Sequence, residues 1–199
     1  MKQTLTFIPP VVDSTQSSIH TEAYEKSVDL YNQGEYLQAF HSLLDYLNAD
    51  FRTKYGNADG TEFHIPHGSI LVHISVKDGF YRISADFLNL PEKGRVAMLR
   101  QIADLNKLLL PRFVKDNDKL RMEYTCSLSQ SHPHKMYFVL QNICHIGDKY
   151  DDEFCTKFGA TRCYEPQVTS YPQQEIDRIY EGLQILGRET LEAVKEYDA

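Results

Sequence analysis

The strongest constraint on the fold of this chain lies between Ile70 and Phe87, where apolar and polar residues alternate on both sides of Asp78-Gly79. An Asp-Gly pair flanked by such alternation is typical of a two-residue type I′ turn that joins two antiparallel strands. A turn of this length predicts four apolar cross-strand pairs on one face of the hairpin: Val76/Tyr81, Ile74/Ile83, Val72/Ala85 and Ile70/Phe87.

The opposite face of the hairpin is predicted to be mostly polar, with the pairs Lys77/Phe80, Ser75/Arg82, His73/Ser84 and Leu71/Asp86. A shift of one residue would mix the two sets, so the pattern specifies the register. Antiparallel sheets commonly bury one face and expose the other to water. The hairpin is therefore predicted to belong to a sheet that helices cover on one side.

The remaining periodicity extends this plan to the rest of the chain. A second hairpin is predicted at Arg112–Lys115 and Lys119–Ser127, and a short strand at Thr61–Ile65. Helices are predicted from Thr21, over Glu35–Phe51, over Lys93–Leu110, from Pro133 to a cap at Gly159, and from about Pro172 to Tyr197. The order α-βββ-α-ββ-α-α, with strands in hairpins, predicts an α+β two-layer sandwich in which helices cover one side of an antiparallel sheet.

Composition changes along the chain suggest three segments. Residues 1–20 contain two prolines and a polar run, and are predicted to be loosely ordered. Residues 21–160 form the predicted α+β domain. Residues 161–199 are predicted to be a loop and a C-terminal helix that packs on this domain or on a second copy.

The charge of the chain argues against binding to a phosphate backbone. The formal net charge of the 199 residues is −7, whereas nucleic-acid-binding surfaces are basic. Some positive charge is concentrated at Arg95, Arg100, Lys107, Arg112 and Lys115. These positions are predicted to form a solvated helix face, so no nucleic-acid partner is expected.

The chain is expected to be cytoplasmic and to have no membrane-bound state. Its first ten residues lack the apolar core of a secretory signal, and no apolar run reaches the ~20 residues that span a bilayer. No two of the four cysteines have the spacing of a Cys-x-x-Cys pair; they are Cys126, Cys144, Cys155 and Cys163. We expect them to be reduced, and Cys126 and Cys144 to face the core with raised thiol pKa values.

No catalytic, cofactor-binding or metal-binding motif is present in the sequence. His132, His134, Cys144, His145 and Asp148 could suggest a metal cluster. On one helix, however, His134 and His145 would lie roughly 16 Å apart along the axis, too far to bind one ion. No metal ion, cofactor or catalytic residue is therefore predicted.

Two polar features on predicted faces leave alternatives open. His73, Arg82 and Ser84 share the polar face of the hairpin and could form the convergent site of a hydrolase or metalloprotein, or could be a solvated surface. Asn106 falls near the apolar face of its helix, where a buried amide needs partners. It is predicted to bond a sheet edge or loop carbonyl, or else to set the register of an interface.

Several phrases of the sequence resemble the YbjN-like family. They are the segment Ile70–Phe87 with its Asp78-Gly79 turn, the Leu88-Asn89-Leu90-Pro91 that follows, Leu105-Asn106-Lys107-Leu108, and Asp118-Lys119-Leu120 before a long helix. The resemblance covers roughly residues 22–160. It implies the fold of type III secretion chaperones, a two-layer sandwich that binds other proteins, often as a dimer, without enzymatic chemistry.

These observations predict a non-enzymatic cytosolic protein-interaction module, chaperone-like or regulatory in role. Its partner would be a protein segment of unknown identity, bound by a sheet face or a helical groove, and the chain could form a homodimer. The residues predicted to bind the partner are on the mostly polar sheet face: Leu71, His73, Phe80, Arg82 and Ser84.

Overall fold

The computed structural model describes residues 20–107, 110–165 and 172–197. These residues divide into two units, an α+β unit that contains residues 20–165 and a second unit whose described part is one long helix. The prediction for residues 1–20 lies outside the described residues, except for His20. No helix within the described ranges is long and apolar enough to cross a membrane.

The α+β unit begins with a helical hairpin, α1 (Thr21–Asn32) and α2 (Tyr36–Leu47), followed by a short helix α3 (Phe51–Tyr55). Gly34 makes the first turn with a φ of 84°, which favours glycine. The prediction of one helix over Glu35–Phe51 was wrong at its end. The helix stops at Leu47, and the Asn48 side chain accepts a hydrogen bond from the Asp50 amide at 2.8 Å, forming a local turn.

The strands form one antiparallel sheet, built from β-hairpins in two separate parts of the chain. This arrangement confirms the predicted α+β class. The path of the sheet is β1-β2-β3-β5-β4, and β6 pairs with β3 off this path. The strands are β1 (Glu62–His67), β2 (Ile70–Lys77), β3 (Phe80–Asn89), β4 (Arg112–Asp116), β5 (Lys119–Ser127) and β6 (Thr161–Arg162).

The register of the β2–β3 hairpin agrees with the alternation in the sequence. Seven of the eight predicted pairs form, and Asp78 and Gly79 have φ values of 53° and 79°, as the type I′ turn requires. The eighth pair, Ile70 with Phe87, lies beyond the paired segment, and Ile70 instead pairs with His67 of β1.

The edge of the sheet is tied to α4 (Arg95–Leu105) by the residue that follows that helix. The Asn106 amide donates to the Phe113 carbonyl at 3.1 Å, and its oxygen accepts from the Phe113 N–H at 2.7 Å. Asn106 therefore bonds the edge strand β4, which is the first of the two predicted roles. The helix is shorter than the predicted Lys93–Leu110, and its residue Val96 is 65% exposed.

The long helix α5 (Pro133–Phe158) crosses the buried face of the sheet. At the crossing, a Cβ on Gly147 would lie 2.9 Å from side-chain atoms of Ile70, so only glycine permits this approach. Gly159 ends the helix with a φ of 74°, as predicted. Helices α2, α4 and α5 and the sheet enclose one core, whose largest side chains include Phe63, Tyr81, Phe87 and Phe154.

The second unit contributes the helix α6 (Gln173–Tyr197), close to the predicted bounds.

In the α+β unit, sequence reasoning missed β6, because its two residues lie in a segment without periodicity. The Arg162 guanidinium donates to the buried Asp151 carboxylate of α5 at 2.8 Å, which ties β6 to that helix.

Candidate functional site

The side of the sheet opposite the helices is called here the open face. It carries all five residues predicted to bind a partner: Leu71, His73, Phe80, Arg82 and Ser84. The register places His73 opposite Ser84 and Ser75 opposite Arg82. Strands β1 and β5 add Glu62, His64, Arg121 and Glu123, and these polar groups surround a shallow depression of about 390 Å³.

The two apolar residues among these five lie far apart. Leu71 pairs with Asp86 at one end of the β2–β3 hairpin, and Phe80 pairs with Lys77 at the other end. At ~3.3 Å per residue along a strand, they are roughly 20 Å apart. Leu71 and Phe80 therefore do not form one apolar patch, and most of the groups around the depression are polar.

Ion pairs organise one end of the open face. The Asp86 carboxylate accepts from Arg121 at 2.7 Å and from Lys119 at 3.1 Å, and the Arg121 guanidinium also lies 3.5 Å from Glu123. Burial works against ionisation of Asp86, but the hydrogen bonds from Arg121 and Lys119 outweigh it, and the pKa of this carboxyl is lowered. These charges already have partners within the fold.

The environment of the His73 imidazole favours its neutral form. Its ring lies 4.6 Å from the His64 ring across β1 and β2. Burial, followed by the effects of His64 and Arg121, lowers the pKa of His73, and Asp86 only partly opposes this. Within the described residues, no hydrogen bond joins His73 to Ser84, and no carboxylate bonds its ring, so the geometry of an activated serine is not formed.

A second surface lies among the helices and is called here the aromatic groove. It is lined by Tyr24, Tyr46, His134, Tyr137 and Phe138, with Thr21 and Glu25 at its rim, and its volume is about 320 Å³. The ring centroids of Tyr24 and Tyr46 are 5.2 Å apart, and those of His134 and Phe138 are 4.8 Å apart. A hydrogen bond of 3.3 Å joins the Tyr24 hydroxyl to Nδ1 of His134 and connects α1 to α5.

The aromatic side chains of this groove are incompletely buried. Phe138 is 39% exposed, and Tyr24, Tyr46 and Tyr137 are half-buried. Aromatic residues are enriched at the centres of protein interfaces, where rigid rings bury a large area at small entropic cost. The groove therefore has the composition of a docking site for an apolar segment.

The α1 side of the groove carries more carboxylates than basic groups. Glu25 lies at the rim, and an adjoining depression that shares Thr21 is lined in part by Glu22 and Asp45. Lys26 also lines that depression, and Asp45 is paired with Arg52 at 3.1 Å. With a net charge of −7 over the chain, this side favours a cationic partner.

Sequence reasoning missed the aromatic groove because its residues come from three helices. On α5, Tyr137 and Phe138 lie beside the buried residues Met136 and Leu140, and the sequence assigned neither aromatic residue to a binding surface. The one available signal was that the apolar arc of α5 is wider than packing on the sheet requires.

The histidines have separate local roles. The His132 ring accepts from the His134 N–H at 3.2 Å and caps α5, and His41 contacts the Gly60 carbonyl at 2.7 Å. In the part of the chain that the structure describes, no group of three His, Cys, Asp or Glu side chains could hold a metal ion.

The four cysteines are free thiols whose pKa values are raised, chiefly by burial. The effect is largest at Cys144, where burial and then the charge of Asp148 raise the pKa to about 12. Thiols of this kind stay protonated at neutral pH and are poor nucleophiles. The expectation for Cys126 and Cys144 is confirmed.

Two of the five locally basic positions are already paired. Arg95 lies 3.1 Å from Asp118, and Lys107 lies 2.6 Å from Asp104. Arg112 and Lys115 are on the edge strand β4 and not on a helix face, so the predicted helical grouping of all five was wrong.

Comparisons with known proteins show little similarity. No protein-family model matches the sequence, and no curated protein matches it significantly. One solved structure that resembles it is the crystal structure of the ExsC–ExsE complex, with 15% sequence identity and a TM-score of 0.40. The alignment covers 56% of this chain and 92% of the other. A likeness at this level carries no conclusion about function.

Proposed function

We propose that this chain is a non-enzymatic, cytosolic protein-interaction module, chaperone-like or regulatory, that binds a segment of a partner protein in its aromatic groove. The observation that carries the proposal is the grouping of four aromatic rings and His134 in one depression between α1, α2 and α5, with Phe138 partly exposed. Grooves between helices bind amphipathic helices through apolar residues at positions i, i+3, i+4 and i+7.

The chemistry of the groove defines the partner segment. Phe138, Tyr137 and Tyr46 would contact its apolar face, and the hydroxyl groups of the tyrosines would face its polar edge. Glu25 and the neighbouring Glu22 would lie near a Lys or Arg of the segment. The occupant is therefore a basic amphipathic helix.

The remaining predictions about function are part of this proposal. The five residues Leu71, His73, Phe80, Arg82 and Ser84 would form a second, polar contact surface, and the module would require no cofactor, nucleic acid or membrane. Membership of the YbjN-like family, with the fold of type III secretion chaperones, is also proposed, and its support is the set of sequence phrases between residues 70 and 120.

The proposal can be tested with a displayed library of random peptides selected on the full-length chain. We expect enrichment of peptides with helical apolar spacing and at least one Lys or Arg. Phe138→Asp should weaken binding of a selected peptide by at least about 30-fold, because a hot-spot side chain contributes ~2 kcal/mol or more. Fluorescence anisotropy of the labelled peptide measures the dissociation constant.

Val96→Asp is the matched control, since Val96 is a 65% exposed apolar residue on another helix, and it should leave binding unchanged. Selected peptides that bind Phe138→Asp as well as the wild type would overturn the groove as the site. If Phe80→Asp or Arg82→Ala instead abolished binding, the open face would be the docking surface.

A further inference from the structure

Helix α6 carries an exposed apolar stripe along its whole length. The stripe contains five apolar residues that are each more than 40% exposed: Ile176, Tyr180, Leu183, Leu191 and Val194. Gly187 lies in the middle of the stripe. At 100° per residue, these six positions fall within an arc of about 80°. The stripe is typical of a helix that packs against another helix.

One flank of the stripe is charged in an ordered way. Asp177 and Glu181 lie in the first half of α6, and Arg188 and Lys195 lie in the second half. The four positions fall within about 40° of one another on the helical wheel, and Glu192 lies about 20° beyond Glu181 at the margin of this flank. The opposite flank carries Ile179, Leu186 and Ala193, and its only charged residue is Glu175 in the first turn.

We infer that α6 pairs antiparallel with α6 of a second copy of this chain. In an antiparallel helix pair, a flank of one helix meets the same flank of the other, which places acidic Glu181 beside basic Arg188 of the second copy and Asp177 beside Lys195. A parallel pair would place this charged flank against Ile179, Leu186 and Ala193. The charge pattern therefore indicates that the partner helix is α6 of a second copy and that the two helices run antiparallel.

The sizes of the apolar residues fit the same register. Leu183 faces Gly187 of the second copy, and the two outer pairs are Tyr180 with Leu191 and Ile176 with Val194. A Cβ on Gly187 would have no atom within 4 Å, so the space above this glycine is open to a partner's leucine. The two-fold axis passes between the two leucine–glycine contacts, as a self-complementary interface requires.

The charged flank is available for such pairing. Among the described residues, Glu181, Arg188 and Lys195 have no hydrogen-bond or ion-pair partner, and Asp177 accepts only from Gln173 of its own helix at 2.9 Å. This inference is independent of the proposed function, because it uses no residue of the aromatic groove.

The experiment is sedimentation equilibrium of the full-length chain over a range of concentrations, with charge-reversal variants. We expect the wild type to dimerise. Glu181→Arg alone and Arg188→Glu alone should each weaken the dimer by roughly tenfold, because each creates two like-charge contacts related by the two-fold axis. The double variant should restore wild-type affinity.

Leu183→Asp should abolish the dimer, and circular dichroism should show that its helix content is retained. A wild-type chain that stays monomeric at every concentration would overturn the inference and leave a different protein as the occupant of the stripe. A dimer that persists in Leu183→Asp, or a double variant no better than the single ones, would also overturn it.

Discussion

The two faces of the sheet come from alternate residues of the same strands, yet different forces stabilise them. On the helix-covered face, Phe63, Ile74 and Ile83 are almost completely buried. On the open face, their neighbours His64 and Arg82 are exposed. The first face is stabilised by removal of apolar area from water, and the second by short-range charge pairs.

Because of this difference, the chain tolerates substitutions on some surfaces without losing its fold. Core side chains contribute several kcal/mol each, whereas exposed polar ones contribute tenths. Substitutions on the open face, in the aromatic groove rim and on α6 are therefore informative about binding, because the fold should survive them.

The largest effect is expected from Phe63→Ala. Phe63 is fully buried, and its ring lies 6.1 Å from the Phe40 ring of α2. Truncation should lower the free energy of unfolding by about 3–5 kcal/mol, as measured by urea denaturation. His64→Ala on the open face is the matched control and should cost less than about 1 kcal/mol. Equal losses for the two variants would contradict the comparison of the faces.

A smaller effect is expected from Tyr81→Phe on the covered face. The Tyr81 hydroxyl donates to the Tyr36 carbonyl at 2.9 Å, at the start of α2. Its loss should lower the free energy of unfolding by about 1 kcal/mol, because the ring still fills the core. Tyr180→Phe, at an exposed position of α6, should leave the thermal midpoint unchanged. A comparable loss of stability in both variants would show that the hydrogen bond from Tyr81 to Tyr36 does not stabilise the fold.

Asp86→Asn should affect stability in a pH-dependent way. The folded-state pKa of Asp86 lies below its unfolded value, so its contribution is present above the unfolded pKa and disappears as pH falls through the folded pKa. At pH near 7 the variant should be less stable by about 0.5–1 kcal/mol, in the range of partly exposed ion pairs. Urea denaturation at neutral pH and below about pH 3 tests this, since the wild type and variant should converge in acid. A constant difference at both pH values would exclude the ion pairs as its cause.

His73→Gln should change the stability of the protein least. In acid, it should lose less stability than the wild type. The folded-state pKa of His73 is lowered by burial, His64 and Arg121, so the unfolded chain takes up a proton first as pH falls below about 6.5. Protonation therefore destabilises the wild type as pH falls from 7.5 to 5.5, and the variant should lose less stability over the same interval. Thermal unfolding at the two pH values measures the difference. Identical slopes would mean that His73 titrates alike in the folded and unfolded chains.

The elements with local signals were predictable from the sequence. Alternation and Asp78-Gly79 specified the β2–β3 register, and Gly159 marked the end of α5, because turn and cap conformations depend on the residues that adopt them. The break after Leu47 was less predictable, since an apolar face continued across it to Phe51.

The candidate site shows the limit of this reasoning. The sequence placed Leu71, His73, Phe80, Arg82 and Ser84 on one sheet face, and the structure agrees, but their partner-binding role remains a proposal. The aromatic groove was not predicted, because Tyr24, Tyr46 and Phe138 are brought together by contacts between residues up to about a hundred positions apart.

By itself, the sequence determined which residues of each strand share a face, where the main turns lie and that α6 is amphipathic. These properties follow from the periods of single strands and helices, which each segment carries locally. Three contacts depend on the tertiary structure: the His64 ring lies edge-on to the His73 ring, Gly147 admits Ile70, and α1, α2 and α5 enclose an aromatic groove. Such contacts depend on how whole elements pack around the core, and no local pattern encodes the distance between two elements.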